Sequence, residues 1–359
     1  MKKNYTSNSD ELISVIMPIY NIAKIKNKCK RAIHSIVEQT YTNWELIIIN
    51  DGSTDQSVDI IKKIIKKEER IYLFSKENGG VESARRYGIK LAKGSFILHI
   101  DQDDCYRHDA FEIFLQKITE TGADVAVANK MRFIFSTKYT FGKSIPLSMQ
   151  RERVIRHDEF MKSYYISFFG INDFPVNIWN KMFRKSFLDS IPEPPLTGQI
   201  IEDLSYNMHI LPYASKICVV PENLYYYRWG GFTNRYDKTI LDTALLGYKL
   251  KRQLIDKYKL NHFKHTTAIE LLNYLNTYFN SLICYEDTTF EDFSSIFYEL
   301  FKRKDVIEAS EIVKKENKYH RDYIDAMLDL DSSKLYNIVN INKKRTRKRR
   351  LIKKILLKI

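Results

Sequence analysis

The chain lacks most of the features that settle a protein's class at a glance. Its four cysteines, Cys29, Cys105, Cys218 and Cys284, are widely separated, which excludes a disulfide framework and zinc-ligand spacing and points to a reducing cytosol. No window approaches the roughly 20 apolar residues of a membrane span. The opening Met1-Lys2-Lys3 leads into a polar stretch and an apolar run containing Pro18, a poor secretory signal. The common phosphate-binding patterns GxGxxG and GxxxxGKS/T are absent, so ordinary dinucleotide and P-loop readings lose their main support. After residue 236, Gly247 is the only glycine or proline.

What the chain does have is size and uneven charge. With 359 residues, 44% of them hydrophobic, it can bury a large core in about two domains. The formal charge is +14, but residues 343–359 (KKRTRKRRLIKKILLKI) hold ten Lys or Arg and no acid, leaving +4 for the other 342 residues. The basicity therefore belongs mainly to that segment.

The first hundred residues alternate strand and helix patterns. Strands are expected at 13–19, 44–49, 71–74 and 95–100, with a fifth at 124–128. Helical stripes fall at 24–38, 58–65 and 81–92. Regular alternation implies parallel strands with right-handed crossovers, a doubly wound α/β sheet. From residue 130 the pattern is more mixed. A further strand is expected at 221–228, and helical spacing dominates beyond a boundary near 235.

Polar or turn residues mark four β-to-α junctions: Tyr20-Asn21, Asp51-Gly52-Ser53, Asn78-Gly79-Gly80 and Asp101-Gln102-Asp103-Asp104. In a parallel sheet these junctions share one edge, where ligands bind. Three carboxylates within four residues at the end of a buried strand repel one another and lose solvation. A hard divalent cation relieves both problems; a solvated acidic turn is the plainer alternative. The cluster with the Gly pair and the lone Asp51 forms a plausible nucleotide-diphosphate site. His99, just before the cluster, reads as a third ligand or as a hydrogen-bonded buried histidine. Cys105, beside the carboxylates, reads as a spectator thiol.

The segments SVIMPIYN (14–21), ELIIINDGSTD (45–55), NGGVESARRYGIKLAKGSFI (78–97) and DQDD (101–104) resemble family 2 glycosyltransferases of the GT-A fold, in that family's order and spacing. NIWNKMFRKSFL (177–188), IEDLSYNMHI (201–210) and NLYYYRW (223–229) resemble the acceptor-side half of bacterial members. The resemblance implies a mainly parallel GT-A sheet over 1–235, with a nucleotide-sugar half at about 10–130 and an acceptor half at 131–235. A smaller helical domain (236–335) and a basic tail (336–359) follow. It further implies a UDP-type nucleotide-sugar donor, Mn2+ or Mg2+, and inversion at the anomeric carbon. Asp101 and Asp103 are then the metal carboxylates, with Asp104 within reach. Asp51 is expected on the uracil ring, and Pro18, Tyr20 and Asn21 in the nucleoside pocket. Asn78, Gly79, Arg85, Gln102 and Arg228 are expected on the donor's phosphates or sugar. Many members carry Asp where this chain has Asn50, a scaffold position, and Gln102 replaces a residue that is usually small.

An inverting transfer also needs a base for the acceptor hydroxyl. The resemblance gives that role to Asp203, with Glu202 beside it; capping of the following helix is the structural alternative. His209 is the less favoured base. Trp179 and Asn180 are candidates for the acceptor side or for the core, and Glu202 and Asp104 are also acceptor-side candidates. A non-catalytic glycan- or nucleotide-binding protein is the rival reading, disfavoured because Asp101, Asp103 and Asp203 are all present. An Asp-x-Asp phosphatase is disfavoured because Cys105 stands where that chemistry needs a threonine-type residue. The helical domain is a buttress, an acceptor-holding surface or a homo-oligomer interface. In the tail, Leu351, Ile352, Ile355, Leu356 and Ile359 recur at helical spacing among lysines. That pattern favours an anionic membrane surface over nucleic acid. A cytoplasmic enzyme peripheral on the inner face of the plasma membrane, acting on a cell-surface polysaccharide or lipid-linked glycan, is the resulting expectation.

Overall fold

The computed structural model describes residues 10–134, 137–141, 146–170, 173–197, 201–228, 239–285, 288–316 and 321–341. The boundary expected near residue 235 and the basic segment 343–359 lie outside them. The chain forms two compact units, 1–168 with 172–231, and 169–171 with 232–359.

The first unit is built on a ten-stranded sheet. Its parallel half comprises β1 (Ile13–Ile19), β2 (Trp44–Asp51), β3 (Ile71–Lys76) and β4 (Phe96–His99), in the order β3-β2-β1-β4. Every residue of β1, β2 and β4 is buried, as befits strands covered on both faces. Helices α1 (Lys26–Val37), α2 (Ser57–Ile65), α3 (Gly80–Leu91) and α4 (Ala110–Thr121) alternate with the strands. Helix α3 packs closely: a Cβ at Gly88 would sit 2.5 Å from Ile16 Cγ2. This brings the charged face of α3 onto the edge where β1 and β4 end.

The second half makes the sheet mixed. β4 pairs antiparallel with β9 (Lys181–Arg184), which pairs antiparallel with β6 (Val125–Ile134). β6 is parallel to β10 (Lys216–Arg228), whose far end pairs antiparallel with the two-residue β5 (Cys105–Tyr106). β7 (Thr137–Phe141) pairs with β6 and β8 (Arg153–Arg156) with β10. The strand expected at 221–228 thus begins at Lys216. Pro221 sits where the register shifts between Val220 and Asn223, one of the few places a strand interior accepts proline. The one-turn α5 (His157–Glu159), α6 (Lys185–Ser190) and α7 (Glu202–Ile210) complete this unit.

The second unit is helical: α8 (Ile240–Lys257), α9 (Lys264–Tyr285), α10 (Phe290–Phe301), α11 (Lys304–Lys315), α12 (Asp322–Leu328) and a further helical turn series at 332–341. Leu272, Leu275, Phe279, Phe293, Phe297, Val306 and Met327 form its core; each large apolar side chain contributes about 1.5–3 kcal/mol on burial. Among the described residues no helix is long and apolar enough to cross a membrane.

Candidate active site

The four junctions expected on one edge are tied to each other by hydrogen bonds. Gly52 has φ +68°, and a Cβ there would lie 2.6 Å from the Asn78 backbone nitrogen, so the turns after β2 and β3 touch. Asn78 Nδ2 donates to the Asp51 carbonyl at 2.9 Å. The Asp51 carboxylate is buried and accepts from Gly79 N (3.1 Å), Gly80 N (2.8 Å) and Lys76 Nζ (2.9 Å). It therefore satisfies the first amides of α3 from a neighbouring strand. Asn50 is buried and braces the same turn through Ser75 and Ser53. Asn21, at φ 49°, accepts from Thr54 N at 2.9 Å. Pro18 is buried within β1, while Tyr20 is 45% exposed at its end. Gln102 Oε1 accepts from Tyr20 N at 3.0 Å, linking the nucleoside-side turn to the acidic cluster.

Arg85 organises the cluster. It is buried, and its guanidinium bonds Asp101 Oδ1 through Nη2 (2.9 Å) and Asp203 Oδ1 through Nη1 (2.8 Å). The tetrad after β4 and the carboxylate at the start of α7 are thus brought together by one cation. Burial pushes Asp101 up to about 6 even though Arg85 opposes the shift. Glu202 is pushed up to about 8, first by burial, against Arg85 and with the repulsion of Asp203 and Asp101. Arg228 lies 3.1 Å from Asp103 Oδ2 through Nη1.

Asp104 faces inward. It is buried, its Oδ2 accepts from Tyr225 OH at 2.9 Å and its Oδ1 from Arg228 N at 2.8 Å. Burial holds its carboxyl well above the usual range. Asp104 fastens β10 to the end of β4, a different setting from the metal-side or acceptor-side ones expected of it. His99 is buried against the edges of Phe183 and Tyr206. Contrary to the hydrogen-bonded histidine expected, neither ring nitrogen has a partner among the described residues. Burial, then Arg85, holds it neutral by pushing its pKa well down. The Cys105 thiol is pushed up to about 11 by burial and Asp104, which suits a spectator. His209 Nδ1 lies 2.7 Å from Ser205 O one helical turn back.

Asp101 and Asp103 fit a hard divalent cation. They are the part-exposed carboxylates of the tetrad, they offer oxygen only, and they stand at the same edge as the Gly79-Gly80 amides. Among the described residues no group of three or more His, Cys, Asp or Glu side chains converges as a metal cage. Two carboxylates suit an ion that keeps water or phosphate oxygens as its other ligands, the habit of Mg2+ and of Mn2+ at such sites.

Trp179 and Asn180 are placed in the interior. Trp179 stacks on Tyr225 (centroids 4.3 Å apart) and Tyr227 (5.4 Å), with Lys130 Nζ 4.7 Å from its ring centre. Asn180 is buried and donates to Ala128 O at 2.7 Å. Lys181 and Asn207 are among the buried polar residues that the sequence did not single out. Lys181 stands in a basic and apolar mixture, Lys181-Met182-Phe183-Arg184-Lys185, so nothing local marks it or Asn207.

The family model described as glycosyl transferase family 2 matches residues 14–188. Glycosyltransferase GlyG of Streptococcus pneumoniae is 30% identical over 224 residues, covering 61% of this chain and 71% of GlyG. Glycosyltransferase GlyA of the same organism is 29% identical over 219 residues, 61% of this chain but only 31% of GlyA. The crystal structure of S. aureus TarS 1-349 in complex with UDP-GlcNAc superposes with a TM-score of 0.58 at 19% identity, covering 93% of this chain and 92% of that one. That likeness establishes the GT-A-type fold, including the helical C-terminal region. On the family model and on GlyG, of which more than two thirds is covered at 30% identity, this chain belongs to glycosyl transferase family 2.

Proposed function

We propose that the chain is a metal-dependent, inverting hexosyl- or N-acetylhexosaminyl-transferase. It moves a sugar from a UDP-type nucleotide donor to a hydroxyl of a bacterial cell-surface polysaccharide or lipid-linked glycan. The observation that carries the reading is the Arg85 bridge, which brings the carboxylate of a leaving-group site and that of a base within reach of one guanidinium. The donor class is supported by the UDP-GlcNAc bound to TarS, a protein of the same fold. The acceptor class rests on sequence resemblance.

In this mechanism exposed Tyr20 and the turns at Asn21 and Asn78-Gly79 receive the nucleotide, while Arg85 and Arg228 supply positive charge toward the diphosphate. A divalent cation on Asp101 and Asp103 would neutralise charge on the departing diphosphate. Asp203 accepts the proton of the acceptor hydroxyl as that oxygen bonds to the anomeric carbon and the carbon–phosphate oxygen bond opens on the opposite face. Arg85 at Oδ1 holds Asp203 oriented before the proton arrives. Glu202, neutral at pH 7, adds no further repulsion.

A panel of UDP sugars with Mn2+, headed by UDP-GlcNAc, identifies the donor as the one that raises Tm selectively. With that donor, Asp203→Asn should bind UDP and Mn2+ as tightly as the natural protein in calorimetry, while UDP release falls about 10²–10⁴-fold. Equal turnover would remove Asp203 as base and the reading with it. We assign 343–359 to an anionic membrane surface on its basic and apolar spacing alone. Deleting it should release the protein from phosphatidylserine vesicles; undiminished binding dismisses that assignment.

A further inference from the structure

Lys181, the first residue of β9, is fully buried. Its Nζ donates to Pro175 O at 2.9 Å, to Asn177 O, and to Asn180 Oδ1 at 3.3 Å. Three acceptors match the three N–H bonds of an ammonium. No carboxylate pairs with it among the described residues. Burial pushes its pKa well down, so charge here is costly and an apolar residue would fill the space more cheaply. A lysine so placed acts on the chain whose oxygens it collects, residues 175–180.

That segment is gripped from the other side by the helix of the base. Asn207 on α7 is fully buried, and its Nδ2 donates both to Val176 O (3.1 Å) and to Asp203 O (2.8 Å). Its Oδ1 is buried without a partner among the described residues. The side chain therefore serves through its donors, at the expense of an unsatisfied acceptor. The segment is fixed a third time where Tyr106 OH sits between two carbonyls, Trp179 O (2.8 Å) and His99 O (2.9 Å), which share its one proton. Two separate departures from ordinary packing, a buried ammonium and a half-satisfied buried amide, thus converge on one stretch of backbone that touches the Asp203 turn. Local violations of this kind collect where function demands them.

We propose that Lys181 is a positioning residue for the Asp203 carboxylate: it draws residues 175–180 into one conformation, and Asn207 transmits that conformation to the first turn of α7. The inference rests on Asp203 being the base. A displacement of the base by a fraction of an ångström slows proton transfer without touching donor affinity.

The test uses the full chain, UDP with Mn2+ as the binding probe, and UDP release from the donor found by thermal shift as the rate. Lys181→Met and Asn207→Ala should each lower kcat about 10–100-fold, with the UDP dissociation constant within twofold of the natural value. The double variant should be no slower than the slower single one, because both cut one connection. In an Asp203→Asn background neither change should alter the residual rate. Should Lys181→Met fail to fold, Asn207→Ala, which leaves no uncompensated charge, carries the test alone. Natural kcat in Asn207→Ala would overturn the inference. So would a loss of donor affinity in step with kcat, since that is the mark of a disturbed fold. Asp203→Asn running at the natural rate would overturn the base assignment as well, whereas a slow Asp203→Asn beside a fast Asn207→Ala overturns the positioning role alone.

Discussion

Both units bury cations against carboxylates, but in different proportions. In the helical unit Lys251 on α8 pairs with Glu270 on α9, and Arg252 Nη2 lies 2.6 Å from Glu308 Oε1 on α11, one cation to one acid. At the sheet edge four acids, Asp101, Asp103, Glu202 and Asp203, gather around two guanidinium groups, Arg85 and Arg228, with Asp104 beside them on the Arg228 backbone amide. A balanced pair satisfies itself and reads as scaffold. An unbalanced set must take up protons, or receive positive charge from a ligand, and burial does raise Asp101 and Glu202 toward neutrality. Buried charge alone is thus a weak sign of function, whereas a surplus of one sign in a cleft is a stronger one.

The sharpest way to break this contrast is to neutralise one acid in each unit. Asp101→Asn should reduce transfer about 10³-fold by removing a carboxylate that steadies developing charge. The same change should hold or raise Tm. The folded carboxyl sits near 6 rather than 3.8, so at pH 7.5 its charge works against folding. Glu270→Gln should do the reverse, leaving transfer intact while costing about 2 kcal/mol, since the buried Lys251 ammonium loses its charged partner. Calorimetric melting and a UDP-release assay on both variants decide it. An active, destabilised Asp101→Asn would erase the distinction.

A smaller effect follows from Glu202. Its folded pKa of about 8 is raised from 4.5, so the folded state holds that proton more tightly than the unfolded chain does. The stability this brings is complete below about pH 4.5 and is lost as pH climbs through about 8. Glu202→Gln cannot ionise, so its Tm should fall less than the natural protein's between pH 6 and pH 9. The difference should be of order 2 kcal/mol at the alkaline end. Parallel melting curves would mean that Glu202 is already ionised at pH 6.

Much of the edge was legible in the sequence because its signals are local. Continuous apolar runs announced β1 and β2, Gly52 and the Asn78-Gly79-Gly80 turn announced the bends, and three acids in four residues announced the cluster. What escaped depends on partners far along the chain. β9 and β5 are four and two residues long and exist as strands only because β4, β6 and β10 supply their hydrogen bonds. Arg85 is expected by resemblance on the donor, but nothing local shows that it bridges Asp101 and Asp203, 16 and 118 positions away. Asp104 and Asp103 are neighbours in one acidic run, yet Tyr225 OH and the Arg228 amide turn Asp104 inward. Trp179 carries a motif that resembles acceptor binding, while its ring is spent on Tyr225 and Tyr227. Periodicity reports which face of an element is covered, but not which distant charge will face a given side chain.

The finest contrast lies between one helix of each unit, α10 and α3, in how its first turn is capped. In the helical unit α10 is capped from within its own sequence: Thr289, with extended ψ 167°, accepts from Asp292 N at 3.1 Å. In the sheet unit α3 has no local side-chain cap, and its first amides are met by Asp51 from β2. A local cap is replaceable, because water reaches the same amide when the hydroxyl is gone. Thr289→Ala should therefore cost about 1 kcal/mol, visible as a Tm lower by a few degrees, with transfer unchanged. Asp51→Ala strips two amides, strands the Lys76 ammonium and loosens the Gly52–Asn78 contact that shapes the nucleotide edge, so UDP affinity should weaken along with Tm. If Thr289→Ala also weakened UDP binding, or Asp51→Ala left it untouched, capping would not separate these two helices, and the nucleotide edge would have to be held by something other than the carboxylate of β2.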